Sequence, residues 1–304
     1  MGVYHAGVVS GLRDGGALRR VGHQIVGASA GALVGALVAT GGLEETGFLE
    51  RYLPTVLDSV VRTRREPLGL LTPGYRLVDD VSSVLLSELP SDAHQRASGR
   101  LHVAVTTVAG GAGPVPRQAF ISEFSSRESL VEAVVRSCAI PGITAGWWVP
   151  GGRLQTHQTR LGVDWAGNAA SLTASTECRD RWAIDGGLVR NWPVHPASDC
   201  ESTLFIAPFA GEGFDICPAV TEPIVAPQTP AVMGMPLELS WRNAQAVVWG
   251  FFPPPPEALE EVAERGYRDA VAWCAASKIG KHFGLHHYLL FVSILIRTFL
   301  CLCR

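Results

Sequence analysis

From Gln24 to Thr40 the chain reads Q-I-V-G-A-S-A-G-A-L-V-G-A-L-V-A-T, without one charged side chain. No other stretch constrains the fold as tightly. The residues His23 to Val26 suit the end of a short buried strand, and the alanine-rich run Ala32–Thr40 suits a helix packed on every side. Between them stands Gly27-Ala28-Ser29-Ala30-Gly31. A strand that turns sharply into a buried helix belongs in a layered α/β structure. Such a turn lifts the Ser29 hydroxyl to the end of a sheet and aims a helix N-terminus at it. Gly27 and Gly31 relieve crowding around the turn, while Ala28 and Ala30 keep its flanks small. With 33 glycines in 304 residues, a G-x-S-x-G pattern arises readily by chance. The strand and helix around it carry the reading.

The rest of the chain agrees with one layered unit. A length of 304 residues with 47% hydrophobic content buries one large core or two small ones. Strands are expected at His23–Val26, Leu101–Thr107, Arg117–Ile121, Arg181–Ile184 and Ser202–Ala207. Helices are expected at His5–Leu12, Ala32–Thr40, Leu77–Leu89, Ser126–Cys138, Leu237–Phe251 and Pro255–Ala275. Ser126 and Glu128 fit a helix entry, Ser126 capping free N–H groups and Glu128 facing the positive dipole end. A net charge of -3 gives no electrostatic case for nucleic acid. The cluster Arg62-Thr63-Arg64-Arg65 reads as a solvated helix end. Seven cysteines, scattered and without zinc spacing, argue for reduced thiols inside a cell. The N-terminus lacks the pattern of a secretory signal.

A serine hydroxyl is a poor nucleophile until a base takes its proton. A Ser-His-Asp triad has candidates in His94, His102, His157, His195, His282, His286 and His287, and none sits in a recognisable loop signature. His102 falls in a strand run and His94 in a surface turn. The other option is an aspartate acting directly. In Arg181-Trp182-Ala183-Ile184-Asp185-Gly186-Gly187 an apolar strand delivers Asp185 to its C-terminal end, where sites form in α/β sheets. Gly186 and Gly187 let the backbone turn around the carboxylate. Asp14-Gly15-Gly16 repeats the tripeptide, but after Gly11-Leu12-Arg13 it reads as a turn that ends a helix. The strand before Asp185 makes the difference.

Gly27-Ala28-Ser29-Ala30-Gly31 taken with Asp185-Gly186-Gly187 resembles the patatin-like phospholipase family. The resemblance is to its animal branch, which contains adipose triglyceride lipase and adiponutrin. Further stretches carry it in order: Gly2-Val3-Tyr4-His5-Ala6-Gly7-Val8, Thr72-Pro73-Gly74-Tyr75, Ser98-Gly99-Arg100-Leu101 and Phe124-Ser125-Ser126-Arg127-Glu128. Asn191, Pro193 and Gly266-Tyr267-Arg268-Asp269 extend it to about Ala275. The resemblance implies a three-layer fold around a mostly parallel central sheet. It implies hydrolysis of acyl esters of neutral lipids or phospholipids, with possible transfer of the acyl group to another lipid. Ser29 is then the nucleophile and Asp185 the base, with no metal and no organic cofactor. The partner is a lipid substrate at a membrane or lipid-droplet surface, and the location is intracellular.

The sequence departs from the family pattern in three places. The family takes oxyanion donors from a glycine-rich loop after its first strand, and here only Gly2 of that loop is present. The domain, residues 1–277, is therefore expected to be N-terminally truncated, with the first strand missing and neighbouring strands left unpaired. Losing one oxyanion donor costs roughly 100- to 1000-fold in rate. Low activity is expected, and a catalytically silent lipid-binding relative is the alternative. Residues 151–179 read as an inserted polar loop without periodicity. Residues 278–304 form an apolar tail of uncertain role, too short between charges to span a membrane and suited to a membrane surface.

Overall fold

The computed structural model describes residues 1–18, 24–41, 48–109, 117–145, 159–163, 169–170, 181–187, 203–219, 238–277 and 288–291. Strands β1 (Gln24–Ala28), β2 (Leu101–Ala109), β3 (Arg117–Ile121), β4 (Thr159–Val163), β5 (Ala169–Ala170), β6 (Arg181–Asp185), β7 (Thr203–Ile206) and β8 (Tyr288–Phe291) form one sheet. Helices α1 (Gly2–Asp14), α2 (Ala30–Ala39), α3 (Phe48–Arg65), α4 (Leu77–Glu88), α5 (Ala93–Ala97), α6 (Arg127–Ser137), α7 (Trp241–Phe251) and α8 (Pro256–Ala276) pack around it.

Alternate strand residues face opposite cores, as the period of two requires. Ile25, Val103, Val105, Leu204 and Ile206 join one core with residues of α1, α2, α4, α6 and α8. Val26, Ala104, Phe120 and Phe205 join a second core with Val247 and Phe251 of α7. Helices thus cover both faces, which gives the three layers.

The strand order is β5-β4-β3-β2-β1-β8-β7, with β6 also paired to β2. The pairs β1–β2, β1–β8 and β7–β8 are parallel, whereas β2–β3, β2–β6, β3–β4 and β4–β5 are antiparallel. The sheet is therefore mixed. A mostly parallel sheet is found only in the half that carries β1, and the other half is built from antiparallel neighbours, which short connections can join.

Two further expectations change. The edge of β1 away from β2 is not left unpaired, because β8 lies along it with Ile25 opposite Leu289 and Gly27 opposite Phe291. The apolar tail therefore supplies a central strand, with β7 on its far side. Tyr288-Leu289-Leu290-Phe291 is a continuous apolar run, the pattern of a strand covered on both faces. In the expected polar loop, Thr159–Val163 and Ala169–Ala170 extend the antiparallel edge instead. The remainder of residues 151–179, Asn191 and Pro193 lie outside the described residues.

Local signals behave as their chemistry dictates. Ser126 accepts from the Ser129 amide and caps α6. Asp14 ends α1, followed by Gly15 and by Gly16 at φ 70°. The prolines Pro253 to Pro256 separate α7 from α8. Where Gly7 of α1 and Gly266 of α8 face the partner helix, the two pack backbone to backbone. A Cβ at Gly7 would lie 1.9 Å from the Ala263 carbonyl oxygen, and one at Gly266 would lie 2.2 Å from that of Tyr4. The Tyr4 hydroxyl closes the contact by donating to Asp269 Oδ2 at 2.7 Å.

Candidate active site

Ser29 stands at the junction of β1 and α2 with φ 52° and ψ −124°. Among the described residues it is the one non-glycine with a positive φ. Such a backbone costs on the order of 1–3 kcal/mol and persists only where surrounding structure enforces it. The enforcement is visible. A Cβ at Gly27 would lie 2.5 Å from the Gly31 carbonyl oxygen, so the strand end and the first helical turn touch through bare backbone. The Ser29 amide donates to Ser137 Oγ at 2.8 Å, and Ser137 Oγ donates in turn to the Ala104 carbonyl at 2.6 Å.

Asp185 reaches the same place from the opposite direction. β3 and β6 pair with overlapping residues of β2, so they occupy its two edges; β1 and β3 overlap likewise. β1 and β6 therefore share one edge of β2 and run towards each other. Ala28 lies opposite Ala104, and Asp185 lies opposite Val105. The residue after β1 and the last residue of β6 meet there.

The turn holding Asp185 is bound from three sides. The Asp185 amide donates to the Ala139 carbonyl at 2.9 Å, and the Gly186 amide to the Ser137 carbonyl at 3.3 Å. Gln118 Nε2 donates to the Gly186 carbonyl at 3.1 Å. A Cβ at Gly186 would lie 2.1 Å from the Ala104 oxygen, so this position admits glycine alone without a shift. Thr144 fixes the segment beyond α6, accepting from the Ile140 amide at 2.7 Å and donating to the Cys138 carbonyl at 2.6 Å.

Asp185 is 2% exposed. Its Oδ1 accepts from the Gly187 amide at 2.8 Å, while Oδ2 has no hydrogen bond of ordinary geometry. Burial pushes its pKa up to about 6, and the Gly187 amide and the adjacent Ser29 hydroxyl offset part of that rise. The Ser29 hydroxyl thus lies next to the Asp185 carboxyl group, one oxygen of which, Oδ2, has no hydrogen-bond partner. Cys138 is the third group here. Burial, and then the charge of Asp185, push its thiol well above its ordinary range, so it stays protonated.

Ser29 opens onto a cavity of about 180 Å³ whose walls are largely apolar, including Leu33, Val56, Val60, Val84 and Ile140. Gly2, Val3 and Ala30 line it as well, so the first turns of α1 and α2 both face it. Intrahelical bonding in α2 begins with Ala32 and Leu33 donating to the Ser29 carbonyl, at 2.9 and 3.1 Å. The amides before them, Ala30 and Gly31, have no acceptor inside the helix. The first turn of α1 leaves Gly2 and Val3 in the same condition, Tyr4 being the first to donate, to the Met1 carbonyl at 3.1 Å.

Of the residues expected from sequence, Ser29, Gly27, Gly31, Asp185, Gly186, Gly187 and Gly2 all lie around this cavity or the turns behind it. His102 does not join them; its Nε2 is 2.6 Å from Gln24 Oε1. His94 lies on α5. His157, His195, His282, His286 and His287 lie outside the described residues. Ser137, Cys138 and Gln118 were not expected. The signal available for the first two was the run Ser137-Cys138-Ala139-Ile140-Pro141-Gly142, where a helix stops just before a proline.

A buried strand–serine–helix elbow is thus set against a buried carboxyl group, beside an apolar cavity. The patatin-like phospholipase model matches residues 1–198, so the chain belongs to the patatin-like phospholipase family. Mouse patatin-like phospholipase domain-containing protein 2 is similar to it, 32% identical over 89% of this chain and 47% of its own length. The human 1-acylglycerol-3-phosphate O-acyltransferase PNPLA3 is 30% identical over 89% of this chain and 47% of its own. The mouse omega-hydroxyceramide transacylase is 29% identical over 89% of this chain and 38% of its own. The chain thus spans less than half the length of these relatives. Their names describe work on the acyl groups of lipids, by hydrolysis or by transfer.

Proposed function

We propose that this protein cleaves or transfers acyl esters of lipids through a Ser29–Asp185 dyad. The observation that carries the reading is the enforced positive φ of Ser29, at the one point where β1 and β6 meet along β2. Asp185 Oδ2 takes the hydroxyl proton as Ser29 Oγ attacks the ester carbonyl carbon. A base with a pKa near 6 is mostly unprotonated at neutral pH and still accepts a proton in the transition state. The tetrahedral oxyanion faces the free amide of Ala30, with Gly2 and Val3 across the cavity as further donors. Collapse expels the alcohol, which recovers the proton from Asp185 and leaves the acyl group on Ser29. Water then releases a fatty acid, or a second alcohol carries the acyl group away. No step needs a metal or an organic cofactor.

A lipid surface is the proposed source of substrate. Trp241 is 66% exposed, and Val248 and Phe252 follow it along the same side of α7. Trp249 and Gly250 of the same helix line the cavity. An apolar face beside the cavity suits contact with a bilayer or a lipid droplet. Among the described residues no helix is long and apolar enough to cross a membrane.

The test is labelling with a fluorophosphonate and mapping of the adduct. A phosphonyl group on Ser29, absent from the Asp185→Ala protein, is the expected result. A folded protein that takes no label overturns the dyad and leaves the silent lipid-binding reading in its place.

A further inference from the structure

One wall of the cavity is not apolar. Ser59 and Thr63 of α3 stand one helical turn apart on the same side, and Asp80 of α4 faces them; all three line the cavity that Ser29 opens onto. Ser59 Oγ donates to Asp80 Oδ2 at 2.8 Å, and the Tyr75 hydroxyl donates to the same oxygen at 2.9 Å. Arg62 Nη2 pairs with Asp80 Oδ1 at 3.1 Å from the far side. The Thr63 hydroxyl donates to that of Tyr75 at 2.7 Å, with the Ser59 carbonyl, 3.0 Å from Thr63 Oγ1, as its alternative acceptor. Asp80 is the one charged side chain among the described residues of the lining.

We infer that this group is a second subsite of the cavity, which binds an aliphatic hydroxyl. The preferred substrates are then esters with a free hydroxyl remote from the ester carbonyl, a conclusion that rests on the acyl-ester reading of Ser29. Counting donors and acceptors leads there. Ser59 and Thr63 spend their protons within the group, and each hydroxyl oxygen retains an acceptor lone pair. A carboxylate accepts about four hydrogen bonds, and Oδ1 of Asp80 has one donor, so acceptor capacity remains. What the wall offers is acceptors without spare donors. A hydroxyl satisfies them. A phosphate or a second carboxylate, all acceptor and negative, is refused. Arg62 already balances Asp80, so an ammonium gains less there than it loses in hydration.

The experiment compares kcat/KM for paired esters. One pair is the p-nitrophenyl ester of decanoate and of the same acid hydroxylated at its far end. The other is methyl decanoate and monodecanoylglycerol. A hydroxyl bound at this wall is worth about tenfold. The expected ratio is therefore about tenfold for one pair, falling to about one in Asp80→Leu. The pair that shows it says whether the hydroxyl belongs to the acyl chain or to the alcohol. If Asp80 only fastens α3 to α4, both esters of a pair lose rate together and the ratio does not move. Ratios of one in the wild type, or a ratio that survives Asp80→Leu, overturn the subsite. If Asp80→Leu does not fold, Ser59→Ala is expected to lower the ratio about threefold, and an unchanged ratio overturns the proposal. If no ester is turned over, the Ser29 reading fails separately. Calorimetry then decides with the Ser29→Ala protein, where decane-1,10-diol should bind about tenfold tighter than decanol and equal binding overturns the subsite.

Discussion

Ser29 and Asp185 arrive at one edge of β2 at different costs. Ser29 comes from a continuous strand–turn–helix, and what is unfavourable there is conformational: a β-carbon-bearing residue at φ 52°. Asp185 comes from a strand far along the chain in an ordinary conformation, and what is unfavourable there is electrostatic: a carboxylate with one oxygen buried and unpartnered. The backbone around Ser29 is locked by contacts between glycines, whereas the charge of Asp185 is left exposed to one hydroxyl. Rigidity at the serine and incomplete solvation at the carboxyl group are what the proposed proton transfer between them calls for.

This contrast is broken most forcefully by removing each group. Ser29→Ala and Asp185→Asn are each expected to lower ester turnover about a thousandfold or more, read by steady-state kinetics. Their stabilities should diverge. Asp185→Asn removes a buried charge and is expected to raise stability at pH 7 on the order of 2 kcal/mol, measured by denaturant unfolding. Ser29→Ala keeps a β-carbon at positive φ and should change stability little. Ser29→Gly, equally inactive, should gain about 1 kcal/mol by relieving the strain.

The pH dependence separates the two further. The folded pKa of Asp185 is raised, so between about pH 4 and pH 6 the folded state holds the proton and the unfolded chain does not. Stability from this residue is then present in acid and falls as pH rises through 6. Turnover follows the opposite course, rising through about pH 6 as the base is freed. A single profile in which both rise together would remove Asp185 from the base role.

Ser137 ties the two halves, through the Ser29 amide on one side and the Ala104 and Gly186 backbone on the other. Ser137→Ala leaves the Ser29 amide and the Ala104 carbonyl without their hydroxyl partner and is expected to cost about 1–3 kcal/mol. A loss of about tenfold in kcat with little change in KM should accompany it. The smallest effect is expected at Trp241→Ala: several-fold slower on vesicles, about unchanged on a soluble short-chain ester. Equal losses on both would place Trp241 in the fold rather than at a surface.

The Ser29 elbow was legible because strand, turn and helix are contiguous, and the glycines that permit the turn flank it. Asp185 was legible because an apolar strand precedes it. Ser137 was not, since a serine at a helix end has no local mark of which distant amide it will accept from. The Asp80 group escaped for a similar reason: Ser59, Thr63, Tyr75 and Asp80 read as ordinary polar positions until α3 and α4 pack. α3 itself was hidden by Pro54, which sits inside it. β8 escaped because an apolar run near the end of the chain fits a membrane surface as well as a sheet, and only its pairing with β1 and β7 tells them apart.

The place of β8 has a consequence for how the protein assembles. The strand leading to Ser29 is flanked by β2 and by a segment more than two hundred and fifty residues further along. A contact of that sequence separation closes a very long loop, so it forms late and slowly. On the ribosome, the elbow is synthesised early and must wait for Tyr288–Phe291 to emerge before β1 is paired on both edges. Until then β1 offers an open edge to any extended apolar chain, and this interval is when a folding helper has most to protect.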